Sequence, residues 1–289
     1  MRLLVTGAGG LLGGRLAELL SRAHTVIAGV HVSRPPDGLE TVPIDLLQPT
    51  SIEAAFDDAR PDAVLHCAAL ADADRCEADP ELALRMNVHA TDRLAVLCAR
   101  RGARLVALST DMVLGGDKAF SSEADAALPR QVYGRTKQAA EAAVLARSSA
   151  AVVVRVALVH GRGHGPRRTA SESIADALRS GRRLRLFTDQ HRTPVDPESV
   201  AAAVASLLAS RAGGVFNVGG PERLSRHELG LRVAKLLGLP AGLIDPVTQP
   251  EPPQGARRPA DVSLDSSRAR RELGFAPRPL DLGVRESRV

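Results

Sequence analysis

The chain has 289 residues, 44% of them hydrophobic, which is enough to bury a substantial core as one large domain or as a main domain with a smaller lobe. Aromatics make up only 2% and there is no Trp, so the core must be built mainly from Ala, Leu and Val. The net charge of +5 comes almost wholly from dispersed Arg residues. With so few aromatics to stack on bases, this argues against nucleic-acid binding and leaves a positive potential suited to an anionic cofactor or substrate.

Cys67, Cys76 and Cys98 form no CxxC pair and show no metal-ligand spacing. They read as small buried residues of a protein in a reducing compartment, with no metal expected. No run of about 18 apolar residues occurs, so no membrane span is expected. The apolar Leu3-Leu4-Val5 is too short for a signal segment, and a cytoplasmic location follows as an expectation.

Taken in chain order, Arg2–Thr6 reads as a buried strand and Gly13–Arg22 as a helix, with Leu16, Leu19 and Leu20 at helical spacing. Thr25–His31 is a second β-rich run. Ser51–Ala59 reads as a short helix opening on a Ser cap, and Ala63–Cys67 as a strand. Pro80–Arg101 reads as one long helix ended by Gly102, Arg104–Ser109 as a strand, Val132–Ala146 as a helix and Val152–Val159 as a β-branched strand. Beyond the glycine- and arginine-rich stretch Gly161–Arg168, a strand is expected at Gly214–Val218 and a Ser-capped helix at Ser225–Leu237, followed by an irregular proline-rich Pro246–Pro259. Strands without polar alternation, separated by helices, predict an α/β fold with a doubly wound parallel sheet of the Rossmann type. Residues 1–160 with 190–220 are expected to form that dinucleotide-binding domain, and 161–189 with 221–289 a smaller, discontinuous substrate lobe.

Thr6-Gly7-Ala8-Gly9-Gly10-Leu11-Leu12-Gly13 lies between the first strand and the first helix, with Gly7, Gly10 and Gly13 in GxxGxxG spacing. Such a turn lets backbone approach a pyrophosphate at a helix N-terminus. Its ordinary reading is a plain βα turn; its position in strand–turn–helix context favours a dinucleotide. An acid about 20 residues on would hold the ribose hydroxyls of NAD. Here the stretch is His31-Val32-Ser33-Arg34. Arg34 is placed to pair with a 2′-phosphate and Ser33 to donate to it, so NADPH is favoured over NADH. Asp45 either meets the adenine edge or caps a turn.

Tyr133 is the only tyrosine in the chain, and it stands four residues before Lys137, one of three lysines. Both side chains then lie on one helix face. Carbonyl reduction needs a proton donor at the oxygen, and an ammonium beside a phenol is expected to lower its pKa. Thr110, at the C-terminal end of the preceding strand, is the candidate third donor, placed where sites gather in open α/β sheets. Ser109 points the other way by strand alternation. Asp111 contacts substrate or caps a turn. Asn87 is expected to tie its helix to neighbouring backbone, and His66 to be structural.

These stretches, together with His66–Glu77, Ser109–Gly116, Arg192–Ala201, Gly214–Gly220 and Leu264–Pro277, resemble the extended short-chain dehydrogenases/reductases, in the dTDP-4-dehydrorhamnose reductase-like branch. The resemblance implies Thr110, Tyr133 and Lys137 as the catalytic set. It implies Gly10, Leu11, Leu12, Asp45, Leu46, Ala68, Ala69 and Leu70 as cofactor contacts, and Asp111, Met112 and Arg192 on the substrate side. The Arg155–Gly161 backbone would pass the nicotinamide, and a homodimer is the family's habit. Leu70 and Met112 stand where the family usually has aromatics, Leu114 replaces a usual Phe and His66 a usual Asn. The reaction expected is reduction of a small-molecule carbonyl by NADPH. The substrate is a dTDP-4-dehydrorhamnose-like nucleotide keto-sugar or a related ketone. Alternatives are a small non-sugar ketone, or a non-catalytic NADP-binding regulatory subunit. A dehydratase would want an Asp-Glu pair after the threonine; Thr110 is followed by Asp111-Met112, half of that pair. Arg162, Arg167 and Arg168 either grip a diphosphate or belong to a solvated lid.

Overall fold

The computed structural model describes residues 1–250 and 258–287. Its elements are β1 (Arg2–Thr6), α1 (Leu11–Leu20), β2 (Thr25–Val30), β3 (Glu40–Pro43), α2 (Pro49–Ala59), β4 (Ala63–His66), α3 (Ala73–Ala78), α4 (Pro80–Leu84), α5 (Ala90–Arg101), β5 (Arg104–Thr110), α6 (Val132–Arg147) and β6 (Val152–Val156). The second half adds α7 (Ala170–Arg179), β7 (Leu184–Phe187), β8 (His191–Arg192), α8 (Pro197–Ala209), β9 (Gly214–Val218), β10 (Leu224–Ser225), α9 (Arg226–Leu237), β11 (Ile244–Val247), α10 (Ser267–Leu273) and α11 (Leu280–Arg285). Seven strands form a parallel sheet in the order β3-β2-β1-β4-β5-β6-β9. This is the doubly wound order, with the connections diverging on either side of β1 and β4.

The apolar runs explain the layers. On one face of the sheet Leu3, Val5, Val154 and Phe216 pack against α1 and α8, and on the other Leu4, Ile27, Val64 and Leu105 pack against α2, α5 and α6. Alternate residues of one strand thus serve two cores, which is why the strands show no polar alternation. A third cluster, with Ile174, Leu178, Leu229, Val233 and Leu280, joins α7, α9 and α11. Among the described residues no helix is long and apolar enough to cross a membrane.

Several boundaries differ from the expected ones. α1 starts at Leu11, two residues before Gly13, because the glycine turn itself closes into the helix; it ends at Leu20. α2 starts on Pro49 at its first turn, and Ser51 is no cap: its hydroxyl accepts the Asp45 N–H at 2.9 Å. The expected long helix over Pro80–Arg101 is α4 and α5 joined through a π-helical turn at Arg85–His89. Such a turn inserts an extra residue and re-aims side chains. Here it carries the buried Asn87, whose amide accepts the Leu70 N–H at 2.8 Å and donates to the Leu70 carbonyl at 3.1 Å, the tie to backbone that was expected. Gly102 closes α5 in the left-handed conformation. β6 stops at Val156, three residues before Val159, while β5 runs one residue further, to Thr110. α9 has its expected cap, Ser225, in a reciprocal box with Glu228. Of the proline-rich stretch, residues 251–257 lie outside the described residues.

Phe216 is completely buried under α8 with the Arg268 guanidinium 4.2 Å from its ring centre. Phe216→Ala should cost about 3–5 kcal/mol of unfolding free energy, read from urea denaturation, because β9 closes the sheet on a side chain with no room to collapse around it.

Candidate active site

The C-terminal ends of β1, β4 and β5 and the loops that follow them open a cleft of about 1180 Å³. This is the crevice that the reversal of strand order creates between β1 and β4. Gly7, Gly10, Leu11, Leu12 and Gly13 line one end of it. Gly7 has φ +69°, and a Cβ there would stand 2.8 Å from the Ala68 nitrogen, so only glycine fits the turn. Gly10 precedes α1 with no side-chain cap, which leaves the N–H groups of the first turn available to an anion.

Beside this turn, His31, Ser33, Asp45, Leu46, Ala68, Ala69 and Leu70 also line the cleft. The Ser33 carbonyl lies where a Cβ on Gly9 would come within 2.3 Å of it, so the loop after β2 is pressed against the glycine turn. Arg34 does not line the cleft. Its guanidinium is exposed and pairs with Asp37 at 2.7 Å. Asp45 accepts the Leu47 N–H at 2.9 Å, closing a turn, and lines the cleft 4.0 Å from His31. The glycine- and arginine-rich stretch 161–168 closes over this end. His164 donates its backbone N–H to Leu11 at 2.9 Å, and its ring meets the Arg34 carbonyl at 3.1 Å. The stretch 161–168 is therefore docked on the glycine turn, with Arg167 and Arg168 on the cleft wall, Arg168 paired to Asp176, and Arg162 off the wall.

His66 is structural, as expected. It lies 2.7 Å from the Thr6 hydroxyl and 2.9 Å from that of Thr91, and Thr91 in turn donates to the Asn87 carbonyl at 2.7 Å. This network assigns the Nε2–H tautomer. Burial pushes the imidazole down to about 3, so it is neutral.

Thr110, Tyr133 and Lys137 come together on the cleft wall beneath the glycine turn. Thr110 ends β5, donates to Asp111 at 3.2 Å and accepts the Met112 N–H at 3.2 Å. Tyr133 and Lys137 sit one turn apart on α6. The expected lowering of the phenol by Lys137 is not what dominates. Burial raises the Tyr133 phenol above its usual range, and its hydrogen bond with Thr110 only partly opposes this. The phenol is therefore protonated at neutral pH. Burial pulls Lys137 down to about 8 against the attraction of Glu141. Ser109 points to the opposite face, as expected, and donates to Glu141 at 2.5 Å.

On the other wall, Arg192 lies 3.5 Å from Asp111, and both are buried. The Arg192 guanidinium also meets the Met112 sulfur at 3.1 Å. Burial raises the Asp111 carboxyl against the pull of Arg192. Arg226, Arg258 and Gln190 line the same wall and were not foreseen; only the Ser225 cap beside Arg226 had marked that stretch. Arg226 is pushed down to about 10 by burial first and then by Arg192 and Arg258, and the Gln190 Nε2 is buried without a partner. Cationic side chains thus dominate this wall. Tyr133 is the only aromatic lining the cleft among the described residues. Leu114 lies in the core, so its replacement of a Phe alters packing and not the cleft. Among the described residues no His, Cys, Asp and Glu are grouped to hold a metal ion.

The RmlD substrate binding domain family matches residues 1–287. The chain belongs to this family. A dTDP-4-keto-6-deoxy-D-glucose reductase of Streptomyces niveus is 31% identical, over 96% of this chain and 92% of that protein. The methionine adenosyltransferase 2 subunit beta of Mus musculus is 30% identical, over 99% of this chain and 86% of that protein. The crystal structure of a hypothetical dTDP-4-dehydrorhamnose reductase from Sulfolobus tokodaii superposes with a TM-score of 0.88 at 30% identity, covering 100% of both chains. Within its family the chain is an oxidoreductase of the short-chain dehydrogenase/reductase kind.

The press of the β2 loop against the glycine turn is testable. Gly9→Ala puts a methyl against the Ser33 carbonyl. A strain of about 1–3 kcal/mol, falling on the cofactor loop, should weaken dinucleotide binding roughly tenfold or more in calorimetric titration, with a smaller effect on thermal unfolding.

Proposed function

We propose that this protein is an NADPH-dependent reductase of a keto-sugar carried on a nucleotide diphosphate. The observation that carries this reading is that one cleft joins a pyrophosphate-type turn, the buried Thr110–Tyr133–Lys137 set and a wall with Arg192, Arg226 and Arg258. The residues fit the cofactor: the glycine turn and the α1 N-terminus suit its pyrophosphate, and the end of β2 carries Ser33 and Arg34 in place of an acid. Arg34 reaches a 2′-phosphate by exchanging Asp37 for it.

When bound, NADPH supplies the hydride. Tyr133, protonated at neutral pH and held so by desolvation, donates its proton to the carbonyl oxygen as that oxygen gains charge. Thr110 donates a second hydrogen bond and orients the oxygen. The Lys137 ammonium stabilises the phenolate left behind. The arginine wall takes up the charges of a diphosphate and holds the sugar against Tyr133. The name of the Streptomyces niveus relative supports such a substrate. The mouse relative supports a second reading, a non-catalytic NADP-binding subunit of another enzyme. The intact Thr110–Tyr133–Lys137 set favours catalysis, since a subunit without turnover has no use for a buried proton donor.

Four outcomes test these assignments. Tyr133→Phe should lower kcat by about 10²–10⁴ in NADPH oxidation with a dTDP-4-keto-sugar and leave NADPH affinity nearly unchanged; persisting turnover would sink the proton-donor role. Silence of the wild type across keto-sugars and simple ketones, with tight NADPH binding, would favour the subunit reading. Arg34→Ala should weaken NADPH more than NADH in fluorescence titration, and an equal loss for both would remove the phosphate contact. Reduction should also fall as pH rises through about 8. Lys137 is held below its ordinary value, so the ammonium is complete at lower pH and lost above that point.

A further inference from the structure

Behind the catalytic face, α6 buries a second charged group that the reaction described above does not use. Tyr133, Lys137 and Glu141 follow one another at four-residue spacing, so they form a line down one side of α6. Glu141 is buried between α6 and the sheet, and so is Arg155 of β6, each with a side chain only 6% exposed. Arg155 grips the carboxylate with two nitrogens, Nε to Oε1 at 3.0 Å and Nη2 to Oε2 at 2.7 Å. Ser109 of β5 donates to the same carboxylate at 2.5 Å. Ser109 and Arg155 are register partners across β5 and β6, so the sheet itself fixes both groups that hold Glu141. The Nη1 of Arg155 is buried without a partner.

The charges facing Lys137 can be named element by element. From its own helix come Tyr133, a neutral phenol, and Glu141. From β4 and the residue after it come His66, neutral because burial pushes it down to about 3, and Cys67, a thiol pushed up to about 12. From β5 come the uncharged Ser109 and Thr110, and from the π turn the uncharged Asn87. Behind Glu141 stands Arg155 of β6, bound to its carboxylate. Asp111 is turned to Arg192 on the far wall. Glu141 is thus the anion next to Lys137 among the described residues.

We infer that Glu141 and Arg155 form a buried charge pair that positions Lys137 and keeps it an ammonium, so that the alkaline limit of the reaction is set from inside the helix–sheet interface. The inference rests on the reductase reading for its consequence in turnover, but not for the charge effect itself. Glu141 and Arg155 are positioning residues: they act on the reaction through Lys137. Their influences have opposite sign. Removing the Glu141 charge leaves Lys137 facing the Arg155 cation in a dry interface and favours the neutral amine. Removing the Arg155 charge leaves the carboxylate to hold the ammonium more strongly. A pair that served packing alone would lower stability in both cases and move no titration.

The chain has three lysines, Lys118, Lys137 and Lys235, so ¹⁵N-lysine labelling gives three side-chain signals, assigned with Lys118→Arg and Lys235→Arg. The Lys137 signal is titrated in the cofactor-free protein. Glu141→Gln, which keeps the shape and the bond to Ser109, should move its midpoint down by about one to two pH units. Arg155→Met should move it up, and the double variant should return it towards the wild-type value. The alkaline limb of kcat/KM for NADPH-dependent reduction should shift in the same directions. An unmoved Lys137 signal, or shifts of the same sign in both single variants, overturns the inference. Should Arg155→Met fail to fold, Glu141→Gln and the double variant still decide. If the titration shifts as expected while the wild type reduces no carbonyl, the reductase reading fails and the charge pair stands. If reduction proceeds while the titration stays fixed, the charge pair alone fails.

Discussion

The site depends on keeping a lysine charged in a place from which water is almost excluded. Lys137 is only 4% exposed, wedged between α6 and the ends of β4 and β5. Removing an ammonium from water disfavours its charged form, and this is the largest influence on it. The same burial keeps Tyr133 protonated. One desolvated wall therefore sets both groups in the states that proton delivery to a carbonyl requires. The carboxylate of Glu141, one turn further along α6, opposes the loss of charge that burial alone would bring.

A like tension shapes the opposite wall. Arg192, Arg226 and the half-exposed Arg258 stand together, with Asp111 3.5 Å from Arg192 and Asp74 4.0 Å from Arg258, and burial followed by the neighbouring cations pushes Arg226 down to about 10. Buried like charges without a full complement of anions are costly. On the proposed reading a diphosphate would relieve that cost on binding and so tie substrate recognition to the electrostatics of the wall. At the cofactor end the solution is different: uncapped N–H groups at the start of α1 and a turn that excludes side chains present backbone donors to an anion.

Much of this was legible from residue order. Strands such as Leu3-Leu4-Val5 and Val152-Val153-Val154 are apolar throughout because each faces a helix layer on both sides, and that alone implies a parallel sheet. Scarcity made Tyr133 and Lys137 stand out. The π turn at Arg85–His89 was not legible, since the apolar spacing of a helix hardly records one inserted residue. The Ser51 cap failed because Pro49 starts the helix earlier and the hydroxyl finds the Asp45 backbone instead. The arginine wall was half visible: Arg192 lay in a family-like stretch, whereas Arg226 and Arg258 reach the cleft from segments distant in sequence, which only tertiary contacts reveal. The direction of the Tyr133 shift was misjudged for a similar reason, because an adjacent cation can be inferred from spacing and the degree of burial cannot.

The most direct test follows the hydride itself. The protein is given NADPH deuterated at the transferable position of the nicotinamide, together with a dTDP-4-keto-6-deoxy-sugar, and the sugar product is examined by mass spectrometry and proton NMR. The account predicts one deuterium on the former carbonyl carbon, with oxidised cofactor formed in equal amount. Product without deuterium at that carbon, or cofactor bound and returned unchanged with every keto-sugar, would contradict it.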